Sequence, residues 1–193
     1  MNNFSIYFQL GFHHIANWGA LDHILFMAAL SLRYQFSDWK KLLILITAFT
    51  IGHTITLTLC VLDIISFSKT WIEFLIPLTI VITAASNLFV KKFSFNQKFP
   101  LIYWFALFFG FIHGLGFSND LRSIIGNDSG LAIKLLAANL GIESAQICCV
   151  LLMLLTGVIC TNLLKINRRE YLLFASGVTL GIALYMAMLR WPF

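Results

Sequence analysis

Charge is the scarcest property of this chain. Asp, Glu, Lys and Arg make up 11% of its 193 residues, against roughly 25% in a soluble domain. Acids are fewest, eight against thirteen Lys and Arg. So little charge in so apolar a composition excludes a disordered segment and a coiled coil. The four cysteines (Cys60, Cys148, Cys149, Cys160) all lie in apolar stretches and form no Cys-x-x-Cys. That excludes a disulfide-stapled secreted scaffold, and they read as packing residues. Residues 1–17 hold no Lys or Arg and no small-residue cleavage site, so they do not read as a secretory signal peptide. There is no HExxH or other hydrolytic signature, no internal repeat and no low-complexity tract.

What is present is hydrophobicity. Apolar residues make up 60%, mean hydropathy is +0.88, and the apolar runs recur along the whole chain. This is the composition of an integral membrane protein. Six segments are long enough, or nearly so, to span: approximately 18–33, 42–62, 71–90, 99–118, 137–161 and 170–190. Continuous apolar runs exclude the alternation of a β-barrel, so the expected fold is a single all-α transmembrane domain over 1–193, a bundle of about six helices. Segment 1–17 mixes aromatic and polar residues and predicts a short interfacial helix. The polar loop 119–136 is the longest connection expected.

The net charge of +5 sits in short clusters between spans, which reads as a topology signal and not as nucleic-acid binding. Arg33, Lys40, Lys41, Lys91, Lys92, Lys98, Lys165, Arg168 and Arg169 fall on one side; Lys69, Arg122, Lys134 and Arg190 fall on the other. The positive-inside rule then puts both termini outside the cytoplasmic membrane.

Ionisable groups within spans are costly and point to function. Six occur: Asp22 and His23 in span one, His53 in span two, Glu73 in span three, His113 in span four and Glu143 in span five, all on the outer side of the membrane by this topology. In span two Thr50, His53, Thr56 and Cys60 form one stripe, and in span five Asn139, Glu143 and Gln146 form another. His113 lies between Gly110 and Gly114, which allow close helix approach. Three neutral imidazoles with nearby carboxylates suit a divalent transition metal such as nickel or zinc. His23, His53 and His113 are the expected ligands. Asp22, next to His23 and so about 100° away around the helix, stays open between ligand and support. Glu143, Gln146, Asn139, Thr50 and Glu73 are expected around the site or along its pathway. Glu73 is equally a solvated interfacial acid, the span-five stripe has interhelical glue as the lesser alternative to a site role, and His13 and His14 read as solvated surface groups.

Five ordered segments, GALDHILF (19–26), FTIGHTITLTL (49–59), IEFLIPLTIVITAASNL (72–88), FGFIHGLGF (109–117) and NLGIESAQ (139–146), together resemble the HupE/UreJ family of membrane proteins. Members are associated with hydrogenase and urease systems and usually described as nickel permeases. The resemblance places Asp22, His23, His53, His113 and Glu143 on the family's characteristic positions. Two positions depart: the family's His shortly before its Asp-His pair has only the more distant His14 as counterpart, and Ser86 stands where many members carry an acid.

These readings imply a permease that captures a divalent ion from outside. An alternative is an intramembrane hydrolase with a zinc-activated water and Glu143 or Asp22 as general base. A third is an accessory protein that holds the metal without moving it. The expected partners are lipids and the metal ion, with a homo-oligomer open.

Overall fold

A computed structural model describes residues 3–90, 101–125 and 130–193, and all regular structure among them is helical. Seven α-helices follow in order: α1 Asn3–Ile15, α2 Leu21–Ser31, α3 Trp39–Val61, α4 Lys69–Leu88, α5 Leu101–Ile125, α6 Leu131–Val158 and α7 Arg168–Leu189. A π-helical turn, Ile159–Leu163, ends α6. The helices α3 to α7 are long and apolar enough to cross a membrane; at about 1.5 Å per residue each exceeds, or in α4 equals, a hydrocarbon core of about 30 Å.

Two expectations about the first part of the chain are corrected. Segment 18–33 is not a full span: α2 has 11 residues and reaches only about 16 Å. The residues before it form a single 3-10 turn, Trp18–Ala20, in which the Asn17 side chain accepts from Gly19 N–H. Nor does α1 lie apart as an interfacial helix. It packs lengthwise on α6, where a methyl added at Gly11 would overlap the Ala138 carbonyl and one at Gly141 that of Phe8. The Lys134 ammonium lies 5.4 Å from the centre of the Tyr7 ring. Contacts of 7 with 134 and 11 with 138 mean that α1 and α6 run in the same direction.

The loop expected over 119–136 is also shorter, because α5 continues to Ile125 and α6 begins at Leu131. The expected basic cluster at Lys91, Lys92 and Lys98 lies outside the described residues.

Glycines set how closely the centre packs. A methyl at Gly52 would overlap the Leu107 carbonyl, at Gly110 that of Phe49 and at Gly114 that of His53. The α3 and α5 backbones therefore touch along parallel axes, as small residues permit in membranes. Helix α7 runs antiparallel to α4, with the Arg190 side chain reaching the Glu73 carbonyl. At the opposite end Arg33 bonds Asn87 and Ser86, and Arg168 donates to the Arg33 carbonyl at 2.8 Å. The bundle thus has a Glu73 end and an Arg33 end.

Candidate metal centre

The break between α1 and α2 brings two histidines together. His14 lies in the last turn of α1 and His23 in the first turn of α2, and their ring centres are 4.7 Å apart. The His14 ring also stacks on Phe117 at 3.7 Å and stands 6.3 Å from the His53 ring. One ring nitrogen each from His14, His23 and His53 lie within 4.8 Å of one another. His53 is wholly buried, because Gly52 beside it lets α5 close over α3. It lies eight residues before the end of α3 and fourteen after its start, about 12 and 21 Å. The cluster is therefore nearer the Glu73 end.

Asp22 supports the cluster instead of pointing at its centre. Its Oδ1 accepts from the His23 backbone N–H at 2.9 Å and lies 3.1 Å from His23 Nδ1. A carboxylate accepts, so Nδ1 carries the hydrogen and Nε2 keeps its lone pair. Asp22 Oδ2 lies 3.4 Å from an Arg190 nitrogen.

His113, expected as a ligand, stands one ring away, 5.1 Å from the His23 ring. Its Nε2 is 3.0 Å from Thr79 Oγ1. That hydroxyl already donates to the Ile76 carbonyl at 2.7 Å. It can only accept from His113, which leaves His113 Nδ1 as a second buried lone pair.

Five of the eight ring nitrogens on these four histidines are buried without a hydrogen-bond partner: His14 Nε2, His23 Nε2, both of His53, and His113 Nδ1. Each such group costs about 1–3 kcal/mol, and native interiors hold only a few per hundred residues, so five gathered in one place is unusual. Neutral imidazoles converging in this way are the donor set of Zn, Ni, Cu or Fe(II), so the residues fit a metal ion.

A cavity of about 480 Å³ reaches the cluster from the Glu73 end, lined by His13, His14, Asn17, Asp22, His23, Glu73, His113 and Arg190 among others. On the other side the way is shut. Phe26, Phe49 and Phe109 each lie one helical turn from His23, His53 and His113, toward the Arg33 end. The Phe26 ring meets those of Phe49, Phe109 and His113, and Phe49 meets His113, at centre distances of 5.1 to 5.9 Å.

The span-five stripe lies elsewhere. Thr47 donates to Glu143 at 3.0 Å, Thr50 to Gln146 at 2.8 Å and Thr54 to Asn139 at 2.8 Å. Glu143 and Asn139 line a separate groove of about 610 Å³ between α3 and α6. Here the interhelical-glue reading describes the contacts, and Glu143 does not line the histidine cavity. Glu73, half-exposed beside Lys69 at 3.6 Å, lines the cavity mouth. His14, which the sequence offered both as a surface group and as the counterpart of a family histidine, is the residue the structure adds to the group. The signal for it was the face Tyr7, Gly11, His14 and Ile15 at helical spacing, with a glycine marking close contact.

Five long apolar helices around a buried cluster of histidines define a multi-pass membrane protein with a candidate metal centre. The chain belongs to the HupE/UreJ family, whose profile matches residues 1–190. Comparison with curated proteins and with solved structures gives no match.

Proposed function

We propose that the protein is a permease for a divalent transition metal, nickel being the ion the family points to, with His14, His23 and His53 as its capture site. The observation that carries this is the convergence of three imidazole nitrogens from α1, α2 and α3 within 4.8 Å, at the foot of a cavity open to one end. A site at a broken helix within the bundle is the arrangement secondary transporters use. Asp22 orients His23 and supplies negative charge; His113 is the next donor the ion meets. Arg33, Lys41, Lys165, Arg168 and Arg169 gather away from the Glu73 end, so the positive-inside rule supports a cavity facing outward from the cytoplasmic membrane.

The hydrolase reading is weaker. Glu143 lines the other groove, and Asp22 is engaged with His23 and Arg190. The test is metal analysis of the purified protein followed by Ni²⁺ and Zn²⁺ flux in sealed vesicles. Flux lost in His53→Ala supports the permease. Bound metal with no flux of any ion tested overturns transport and leaves the accessory role.

A further inference from the structure

Below the histidines, an ion heading for the Arg33 end meets the rings of Phe26, Phe49 and Phe109. One polar track passes beside them. It starts at Thr79, 3.0 Å from His113 Nε2, and continues through Thr83 to Asn87, each four residues on and so on one face of α4. All three are buried, and Ser86 adjoins the last. We infer that this stripe is the ion's onward route from the histidines and that Arg33 closes its far end; the inference rests on the permease reading.

The hydrogen bonds say what the stripe offers. Thr79 donates to Ile76 O at 2.7 Å, Thr83 to Thr79 O at 2.8 Å and Ser86 to Thr83 O at 2.6 Å. Each hydroxyl spends its only hydrogen on its own helix and so turns oxygen lone pairs to its neighbours. The hydroxyls of such a row turn acceptors, not donors, toward a passing cation. From Thr79 to Asn87 it covers about 12 Å, replacing in part the ligands an ion loses on leaving imidazole. A second hydroxyl stands at the same depth: Ser176 on α7, fully buried, has no partner for its Oγ. It lies fourteen residues from Arg190, as Asn87 does from Glu73, where the two helices join.

The track ends under a guanidinium. Arg33 Nε donates to Asn87 Oδ1 and a terminal nitrogen to Ser86 Oγ at 2.5 Å, while Asn87 donates to the Ala29 carbonyl at 2.8 Å. A fixed positive charge on the last two oxygens of the stripe repels an arriving cation. Arg33 must swing away for release.

The test uses the full chain in sealed vesicles with Ni²⁺ or Zn²⁺ and an indicator inside, beside equilibrium metal binding. Thr83→Val keeps shape and removes the oxygen. It slows flux about tenfold, the effect of one missing ligand, with binding unchanged, and Thr83→Ser restores the rate. Arg33→Met raises flux severalfold. Should Thr83→Val fail to reconstitute, Thr83→Ala, which removes the same oxygen, slows flux in its place, again with binding unchanged. Wild-type flux in Thr83→Val overturns the route, and wild-type flux in Arg33→Met overturns the closure; in both cases the permease reading stands. Metal bound by the unaltered protein without flux overturns the permease reading and the route together.

Discussion

Replacing His14 by Phe keeps an aromatic ring stacked on Phe117, now 3.7 Å away between centres, and removes both imidazole nitrogens. His113→Phe is the matched control. It replaces a fully buried imidazole, where that of His14 is half-buried, at a similar distance from His23, and Thr79 stays satisfied because its hydroxyl donates to Ile76. The two variants separate the ligand set legible in the sequence from the one the structure groups. Losing a group that merely orients a ligand weakens metal binding about 10–100-fold. Loss of a direct ligand should exceed that, so His14→Phe is expected to weaken Ni²⁺ or Zn²⁺ binding more than about 100-fold, or about 2.7 kcal/mol. His113→Phe, the loss of a neighbouring donor, is expected to cost less than about tenfold. Calorimetric titration of purified protein in detergent reads both, with thermal unfolding as the control for packing. His14→Phe at wild-type affinity, with His113→Phe abolishing binding, would refute the grouping of His14 with His23 and His53.

Asp22→Asn leaves the shape of the support but not its charge; metal affinity should fall about 10–100-fold with little change in melting temperature, and unchanged affinity would remove Asp22 from the site. Glu143→Gln should leave metal affinity within about twofold, because the groove it lines is separate from the cavity; titration calorimetry checks this. Thr54→Val should lower stability by about 1 kcal/mol through its bond to Asn139, read by thermal melting, and leave metal binding intact. Gly52→Ala forces α3 from the Leu107 carbonyl and should cost about 1–3 kcal/mol in the same assay; an unchanged melting temperature would mean that α3 and α5 are not in backbone contact.

The long apolar helices were legible because each carries its own signal over at least twenty residues. Span boundaries shifted by only a few residues in α3, α4 and α7. The beginning of the chain was not legible for a physical reason: α1 and α2 are stabilised by partners far away in sequence. Gly11 meets Ala138, and Asn87 meets Ala29; helical spacing marks a packed face but does not name the partner that covers it. His23 and His53, expected from residue type and depth, fall in the histidine cluster. His14 stayed open because a histidine in a segment too short to span reads as surface until α6 is known to lie beside it. Glu143 shares a helix face with Asn139 and Gln146, as the spacing required. Spacing cannot say which neighbour that face meets, and the neighbour is the threonine row of α3.

The break at 16–20 and the histidine cluster depend on each other. His14 and His23 are nine positions apart, which in an unbroken helix would separate them by about 13 Å along the axis. Their rings are 4.7 Å apart only because the helix is broken between them. Within a membrane such a turn is tolerable only where its open backbone groups are covered by protein or line a polar cavity. Here the Asn17 side chain takes the Gly19 N–H, and Asn17, Gly19 and Ala20 line the cavity itself. The cavity at the histidines is thus also what makes the break affordable. The break has a further consequence for movement. α1 is fastened to α6 through Gly11 and Gly141, whereas α2 is held by Asn87 of α4 at its far end. Two members of the proposed capture site therefore ride on helices anchored to different parts of the bundle. On the permease reading, a relative shift of those parts pulls His14 from His23 without breaking a hydrogen bond inside either helix, and leaves an ion on His53 with His113 as its next donor.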